Sequence, residues 1–396
     1  MERIIMHIDV NNAFLSWTAL DLLEKGHKED IRNIEAIIGG DETRRAGIVL
    51  AKSTPAKKKG VVTAETIYQA KRKCPNLKIF PPNHQMYKKR SKELFTLLSK
   101  YTPDIEVASI DECYLDYTKV RNLYGNEKDF AYKLKDEIKE TLGFTVNIGI
   151  ANNKLCAKMA SDFSKPDKVH TLYQNEIEQK MYPLPIKELF TVGKQTAQKL
   201  ENIGIKTIKD LAKAKEYNLR KIFKNQSKYL IEIANGIDYS EVTPELSAPK
   251  GISNEITLSK DLTTKKEINK VLSRLSEQVS KRIRKENKYA KVVCVILKDN
   301  NFKRYSHQKK LKNPINTYDE IYKYSKEILE EFYHNEPVRL IGIRLDNLQN
   351  NKIYQTSLFE KNPENNEKID KIMDQINTKY GKDVVKRASF LENNSK

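Results

Sequence analysis

The chain has 396 residues, a length that as a prior holds two to four domains and gives each enough apolar material for a core. Lys and Arg number 72 against 53 Asp and Glu, a formal net charge of +19 that favours a polyanionic partner and would also draw the chain to a membrane surface. No run approaches the roughly 18 apolar residues of a membrane span, "MERIIMHIDV" is too short and acidic for a signal peptide, and the 4 cysteines form no CxxC pair. A membrane protein, a disulfide scaffold and a zinc knuckle are thus disfavoured, and a cytoplasmic protein with reduced, packed cysteines is expected.

"RIIMHIDV" (3–10) alternates and is rich in β-branched residues, which predicts a strand ending on Asp9, and a helix is expected from Ala13 to about Lys25. "EAIIGG" and "GIVLA" predict two strands about a polar turn, and short helical pieces follow at "TPAKKKG" and "AETIYQAKRKC" before Pro75. Asn83 to Tyr101 reads as a long helix, and "DIEVASIDECYLDY" as a hairpin. A helix near 126–142, the strand "FTVNIGIA" and a helix from about Asn152 to Ser161 complete an α+β unit with strands in one layer and helices in the other.

After Lys165-Pro166 the texture changes to short helices, with Gly193 and Gly204 at helix boundaries, which predicts a small helical domain. Pro244 and Pro249 in "DYSEVTPELSAPKG" mark a linker. Beyond it a strand (252–259), a basic helix (265–288), two strands, a helix (317–331) and the strand "VRLIGIRLDN" follow in the βαββαβ order of a split βαβ sandwich. The Asn-rich stretch after it reads as extended, and a last helix is expected from about Lys368 to Tyr380.

The charge is concentrated. Residues 250–312 hold 18 Lys and Arg against 6 acids, and residues 52–90 hold 11 against 1. Two basic surfaces on different domains suggest a grooved polyanion, most simply nucleic acid.

Against that background the acids of "HID" and "SIDEC" stand out, because Asp is a poor strand former placed where strand propensity is high. If the two strands are neighbours, Asp9 and Asp111 converge, and two unit charges about 4 Å apart repel by roughly 4 kcal/mol at an effective dielectric of 20. A cation is then required. Carboxylate ligands suit Mg²⁺ or Mn²⁺, and a pair of such ions can stabilise both the attacking and the leaving oxygen of phosphoryl transfer. Glu112 could complete the second ion. Read without further context, Asp9 could equally cap the following helix and Asp111-Glu112 form a turn.

The ordered set "HIDVNNAF", "GIVLAKSTPAKKKGV", "QAKRKCPNL", "ASIDECYLD", "VNIGIANNKLCAKMASDFSKP" and "LFTVGKQTAQKLENIGI" resembles the Y-family lesion-bypass DNA polymerases over about the first 240 residues. The resemblance implies a right-hand polymerase: palm (1–15 and 75–165), fingers (16–74), a helix-hairpin-helix-like thumb (166–240), a linker (241–250), a little finger (251–348) and a tail (349–396). It implies template-directed, low-fidelity synthesis on primer-template DNA from deoxynucleoside triphosphates, with two Mg²⁺ ions and Mn²⁺ as a possible substitute. Asp9, Asp111 and Glu112 match the catalytic metal ligands, joined by the backbone carbonyl of Val10. Phe14 falls at the steric gate against a ribose 2′-OH. Thr54, Lys57 and Lys165, with Asn12 and Ala13, match the stretches that meet the triphosphate.

Some positions depart from the family pattern. Thr54 stands where many members carry Tyr, Lys57 where many carry Arg, which weakens bidentate phosphate clamping, Asn12 replaces a residue that is commonly aromatic or Cys, and "FTVG" lacks the first glycine of the thumb hairpin. In the tail, "QTSLF" resembles the pentapeptide that docks on the ring-shaped sliding clamp, with Gln355 anchoring and Leu358 and Phe359 filling an apolar pocket. A monomer without membrane contact, nucleoid-associated when on DNA, is expected. The rival from another class is a non-catalytic, clamp-tethered DNA-binding protein on the same fold.

Overall fold

Apolar runs from distant parts of the chain build the central sheet of the first unit. The computed structural model describes residues 2–40, 47–245, 248–351, 364–381 and 384–387. Its first compact unit comprises residues 1–40 and 48–246, and the second includes 247–396. The strands of the first are β1 (Ile5–Val10), β2 (Ala36–Gly39), β3 (Val49–Lys52), β4 (Lys78–Phe80), β5 (Ile105–Val107), β6 (Glu112–Asp116), β7 (Val146–Ala151) and β8 (Val169–Thr171).

Five of them form one sheet in the order β5-β6-β1-β7-β8. β1 is antiparallel to β6 and β7, whereas β8 joins β7 in parallel. Every residue of β1 and β7 is buried, as befits strands covered on both faces. Alternation then sorts the side chains. Met6, Ile8 and Val10 enter a core with Trp17, Leu94 and Phe130, which come from the helices Ala13–Glu24, His84–Leu98 and Glu127–Leu142. Ile5 faces the other way, into a core with Leu155, Cys156 and Met159 of the helix Lys154–Asp162, and His7 and Asp9 share its side of the strand.

Three of these four helices start at side-chain caps. Asn83 accepts from the Met86 N–H, Asn126 from Lys128 and Asp129, and Asn153 from Cys156, each satisfying an otherwise orphaned donor. β2, β3 and β4 make a separate sheet in the order β3-β2-β4. The parallel pairing of β4 with β2 ties residues 78–80 to the segment expected to be fingers. All four cysteines are buried and unpaired. No helix among the described residues is long and apolar enough to cross a membrane.

The second unit is the expected βαββαβ arrangement. β9 (Gly251–Leu262), β10 (Tyr289–Asp299), β11 (Arg304–Ile315) and β12 (Val338–Gln349) form an antiparallel sheet in the order β11-β10-β12-β9. Val293, Val295, Leu297, Ile341 and Ile343 pack with Leu272, Val279 and Ile328 from the helices Lys265–Lys285 and Tyr318–Phe332. Alternation turns Lys298, Arg304, Lys310 and Arg344 to the helix-free face.

The last helix runs Glu364–Tyr380, four residues longer at its start than expected. It is fastened by charge: Arg284 reaches Asp370 at 2.9 Å and Asp374 at 2.8 Å, and Asp370 accepts the Tyr318 N–H at 2.9 Å.

Candidate active site

The register of the central sheet decides which acids meet. Asp9 lies opposite Glu112 on one side and Asn147 on the other, so the two carboxylates share a face at the same end of neighbouring strands. The Val10 N–H donates to the Asp111 carbonyl at 3.0 Å and closes the β1–β6 pair just beyond them. Behind this face lies the helix Lys154–Asp162. Its Lys158 ammonium donates to Glu112 Oε1 at 2.8 Å and Asp9 Oδ2 at 3.3 Å, and Lys165 donates to the same Asp9 oxygen at 2.8 Å. Asp162 sits 3.4 Å from Lys158 and 2.9 Å from Lys165.

This electrostatic arrangement splits the two acids. Burial raises the Asp9 carboxyl above its ordinary value, against the pull of Lys165 and Lys158. Contact with His7 and Lys158 outweighs burial at Glu112 and holds it well below the carboxylate range. Burial weighs against the Lys158 ammonium, but its bond to Glu112 and the charges of Asp9 and Asp162 hold its pKa above the ordinary value. A partly buried carboxylate pair answered by ammonium groups is a site that needs positive charge.

His7 is fully buried beside this pair. His7 Nδ1 and the Ser161 hydroxyl are hydrogen-bonded at 2.8 Å, and His7 Nε2 stands 3.7 Å from Glu112 Oε2. Burial holds the imidazole below its ordinary 6.5, so below that pH the unfolded chain takes up a proton that the folded chain refuses. The unfolded state binds more protons there, so stability falls as pH falls. Urea unfolding from pH 7 to 5 is expected to show this loss, up to about 1.4 kcal/mol per pH unit from one group, and His7→Gln should remove that share. Equal slopes in both proteins would contradict it.

Asp111 precedes β6, where the Ser109 hydroxyl donates to its carboxylate at 2.6 Å. As the side chains stand, no three His, Cys, Asp or Glu groups among the described residues converge to hold a metal. The donor set nevertheless fits a hard divalent cation: Asp9 and Glu112 face one another, Asp111 immediately precedes Glu112, and two ammonium groups already occupy the neighbourhood.

Asn12 adopts a left-handed conformation (φ 50°) and its amide donates to the Lys52 carbonyl at 2.7 Å, joining the end of β1 to β3. Ala13 is buried at the start of the following helix. Phe14 stacks on Tyr87 with ring centroids 4.6 Å apart and meets His84 edge-on at 6.2 Å. Thr54 and Lys57 are exposed on the short helix Thr54–Lys58, whose start Ser53 caps. Gln355, Leu358 and Phe359 lie outside the described residues.

Sequence reasoning missed Lys158, His7 and Tyr87. A signal for Lys158 was present, since "LCAKMAS" is apolar or small on every side of the lysine and residues 155–161 are all buried. A lysine enclosed in that way requires an anion. The polar pair Asn11 and Asn147, bonded at 3.0 Å, was also missed; the Asn11 side-chain oxygen Oδ1 accepts the Asp167 N–H at 2.8 Å and steadies the loop that carries Lys165.

Two family models match this chain: the impB/mucB/samB family over residues 8–162 and the impB/mucB/samB family C-terminal domain over residues 249–358. DNA polymerase IV of Clostridium acetobutylicum is 47% identical over 398 residues, covering 100% of each chain. DNA polymerase IV 1 of Bacillus subtilis is 33% identical, covering 99% of this chain and 94% of its own. Among solved structures, a Y-family DNA polymerase chimera superposes with a TM-score of 0.78 at 28% identity, covering 88% of this chain and 100% of its own.

Proposed function

The chain belongs to the impB/mucB/samB family of Y-family DNA polymerases, and from that premise we propose how its residues divide the work. It is a DNA-directed DNA polymerase of the translesion type, with primer-template DNA and deoxynucleoside triphosphates as substrates and a divalent metal as cofactor. Nothing favours the non-catalytic alternative.

Asp9, Asp111 and Glu112, with the Val10 carbonyl, would hold two Mg²⁺ ions, for which Mn²⁺ could substitute. The observation that carries this reading is the Asp9–Glu112 register, which brings residues from β1 and β6 to one face. Bound there, the metal would lower the pKa of the primer 3′-OH and offset charge on the transferred phosphate, so that no protein general base would be required. Asp111 reaches its role by leaving the Ser109 hydroxyl. Lys165, more exposed than Lys158, turns from Asp9 to the triphosphate, which Thr54, Lys57 and the backbone at Asn12 and Ala13 also meet.

Phe14 is held flat by Tyr87, a rigid wall against a ribose 2′-OH. Phe14→Ala is expected to raise the kcat/KM ratio of ribonucleotide to deoxynucleotide at least about tenfold, because discrimination by exclusion is lost with the ring. An unchanged ratio in single-nucleotide insertion assays would remove Phe14 from the gate.

We assign palm, fingers, thumb, little finger and tail to the segments expected from the resemblance, with β4 hydrogen-bonded to the fingers sheet. The basic helix-free face of the second sheet, with Lys298, Arg304, Lys310 and Arg344, suits DNA phosphates. Gln355, Leu358 and Phe359 would tether a monomeric enzyme to the sliding clamp. The overall reading is tested by primer extension on undamaged and lesion-bearing templates, with and without clamp. Absence of templated extension on both, in Mg²⁺ and in Mn²⁺, would refute it.

A further inference from the structure

Two lysines reach Asp9, yet their surroundings differ. The Lys165 side chain is 37% exposed and can leave for a phosphate, whereas Lys158 is 10% exposed and sits among Glu112, Asp9 and Asp162 at 2.8, 3.3 and 3.4 Å. It projects from the helix Lys154–Asp162, seven of whose nine residues are buried. An ammonium so enclosed cannot follow a substrate out without leaving the buried Asp9 and the partly buried Glu112 less compensated.

We propose that Lys158 is a resident counter-ion, a positioning residue that stands in for a divalent cation between Asp9 and Glu112 and keeps the two carboxylates aligned before metal arrives. This inference rests on the reading of those acids as metal ligands. Without a positive charge, two facing carboxylates repel and one of them turns away or takes up a proton. With the charge fixed in place, the free protein holds the pair ready, and an incoming cation must compete with the ammonium for the same oxygens. The consequence is weak metal binding in the absence of nucleotide. A triphosphate adds negative charge and shifts the balance towards metal.

The decisive variants are Lys158→Met, which keeps the stem and removes the charge, and Lys158→Arg, which keeps the charge. Mn²⁺ is titrated into each and into wild type, with Asp9→Asn as control, by electron paramagnetic resonance without DNA or nucleotide. Thermal unfolding is followed with and without Mn²⁺. Lys158→Met is expected to bind Mn²⁺ at least about tenfold more tightly than wild type, as removal of a like charge at contact range requires. Its metal-free melting temperature should fall and Mn²⁺ should restore it, while Lys158→Arg stays close to wild type. Equal or weaker Mn²⁺ binding by Lys158→Met, or unfolding that Mn²⁺ does not repair, would overturn the proposal and leave Lys158 a structural residue. Identical Mn²⁺ binding by wild type, Lys158→Met and Asp9→Asn would overturn the metal-ligand reading as well.

Discussion

Replacing Glu112 or Asp111 by Ala is expected to lower the rate of primer extension at least about a thousandfold, some 4 kcal/mol of transition-state stabilisation, while primer-template affinity changes by no more than about threefold. Glu112 is set opposite Asp9 by the β1–β6 register and is held ionised by His7 and Lys158. Removing it takes away the carboxylate opposite Asp9, so on the proposed reading a bound cation loses a ligand where charge develops. Affinity for DNA comes from Lys and Arg on phosphates, which these substitutions leave in place. Single-turnover extension and a fluorescence-anisotropy titration separate the two effects. Extension retained by both single variants would show that the carboxylates are not the metal ligands.

Gly149→Ala is expected to cost at least about 3 kcal/mol of folding stability, at the upper end of overpacking effects, and to remove activity with it. Gly149 is in the middle of β7, where a Cβ would lie 2.0 Å from the Ala157 carbonyl oxygen and 2.4 Å from the Ser161 N–H nitrogen. Both are backbone atoms and neither can rotate aside. The helix Lys154–Asp162 would have to lift from the sheet, drawing Lys158 away from Asp9 and Glu112 and breaking the His7–Ser161 bond. Urea unfolding measures the stability change. A loss below about 1 kcal/mol would show that the helix is not seated so closely.

The strands and long helices were legible because their signals are local. Alternation marked β1, β6 and β7, and caps such as Asn83 and Asn126 sit where the helical patterns began. β4 and β8 were not foreseen. Each is three residues long, too short for a period, and exists through parallel pairing with β2 or β7. The candidate site divides in the same way: Asp9 and Asp111 announced themselves by interrupting strand-like sequence, and Phe14 could be named from the resemblance. Their partners could not be seen. Tyr87 stacks on Phe14 from another helix, and Lys158 meets Asp9 across 149 positions of chain, so both depend on how helices pack on the sheet.

The most direct measurement is Mn²⁺ anomalous scattering from crystals of the chain with primer-template DNA and a non-hydrolysable deoxynucleoside triphosphate. Two peaks roughly 3.5–4 Å apart, bonded by Asp9, Asp111 and Glu112, are expected. Peaks elsewhere, with Asp9 and Glu112 still paired only to Lys158 and Lys165, would contradict a metal-assisted reaction at this site.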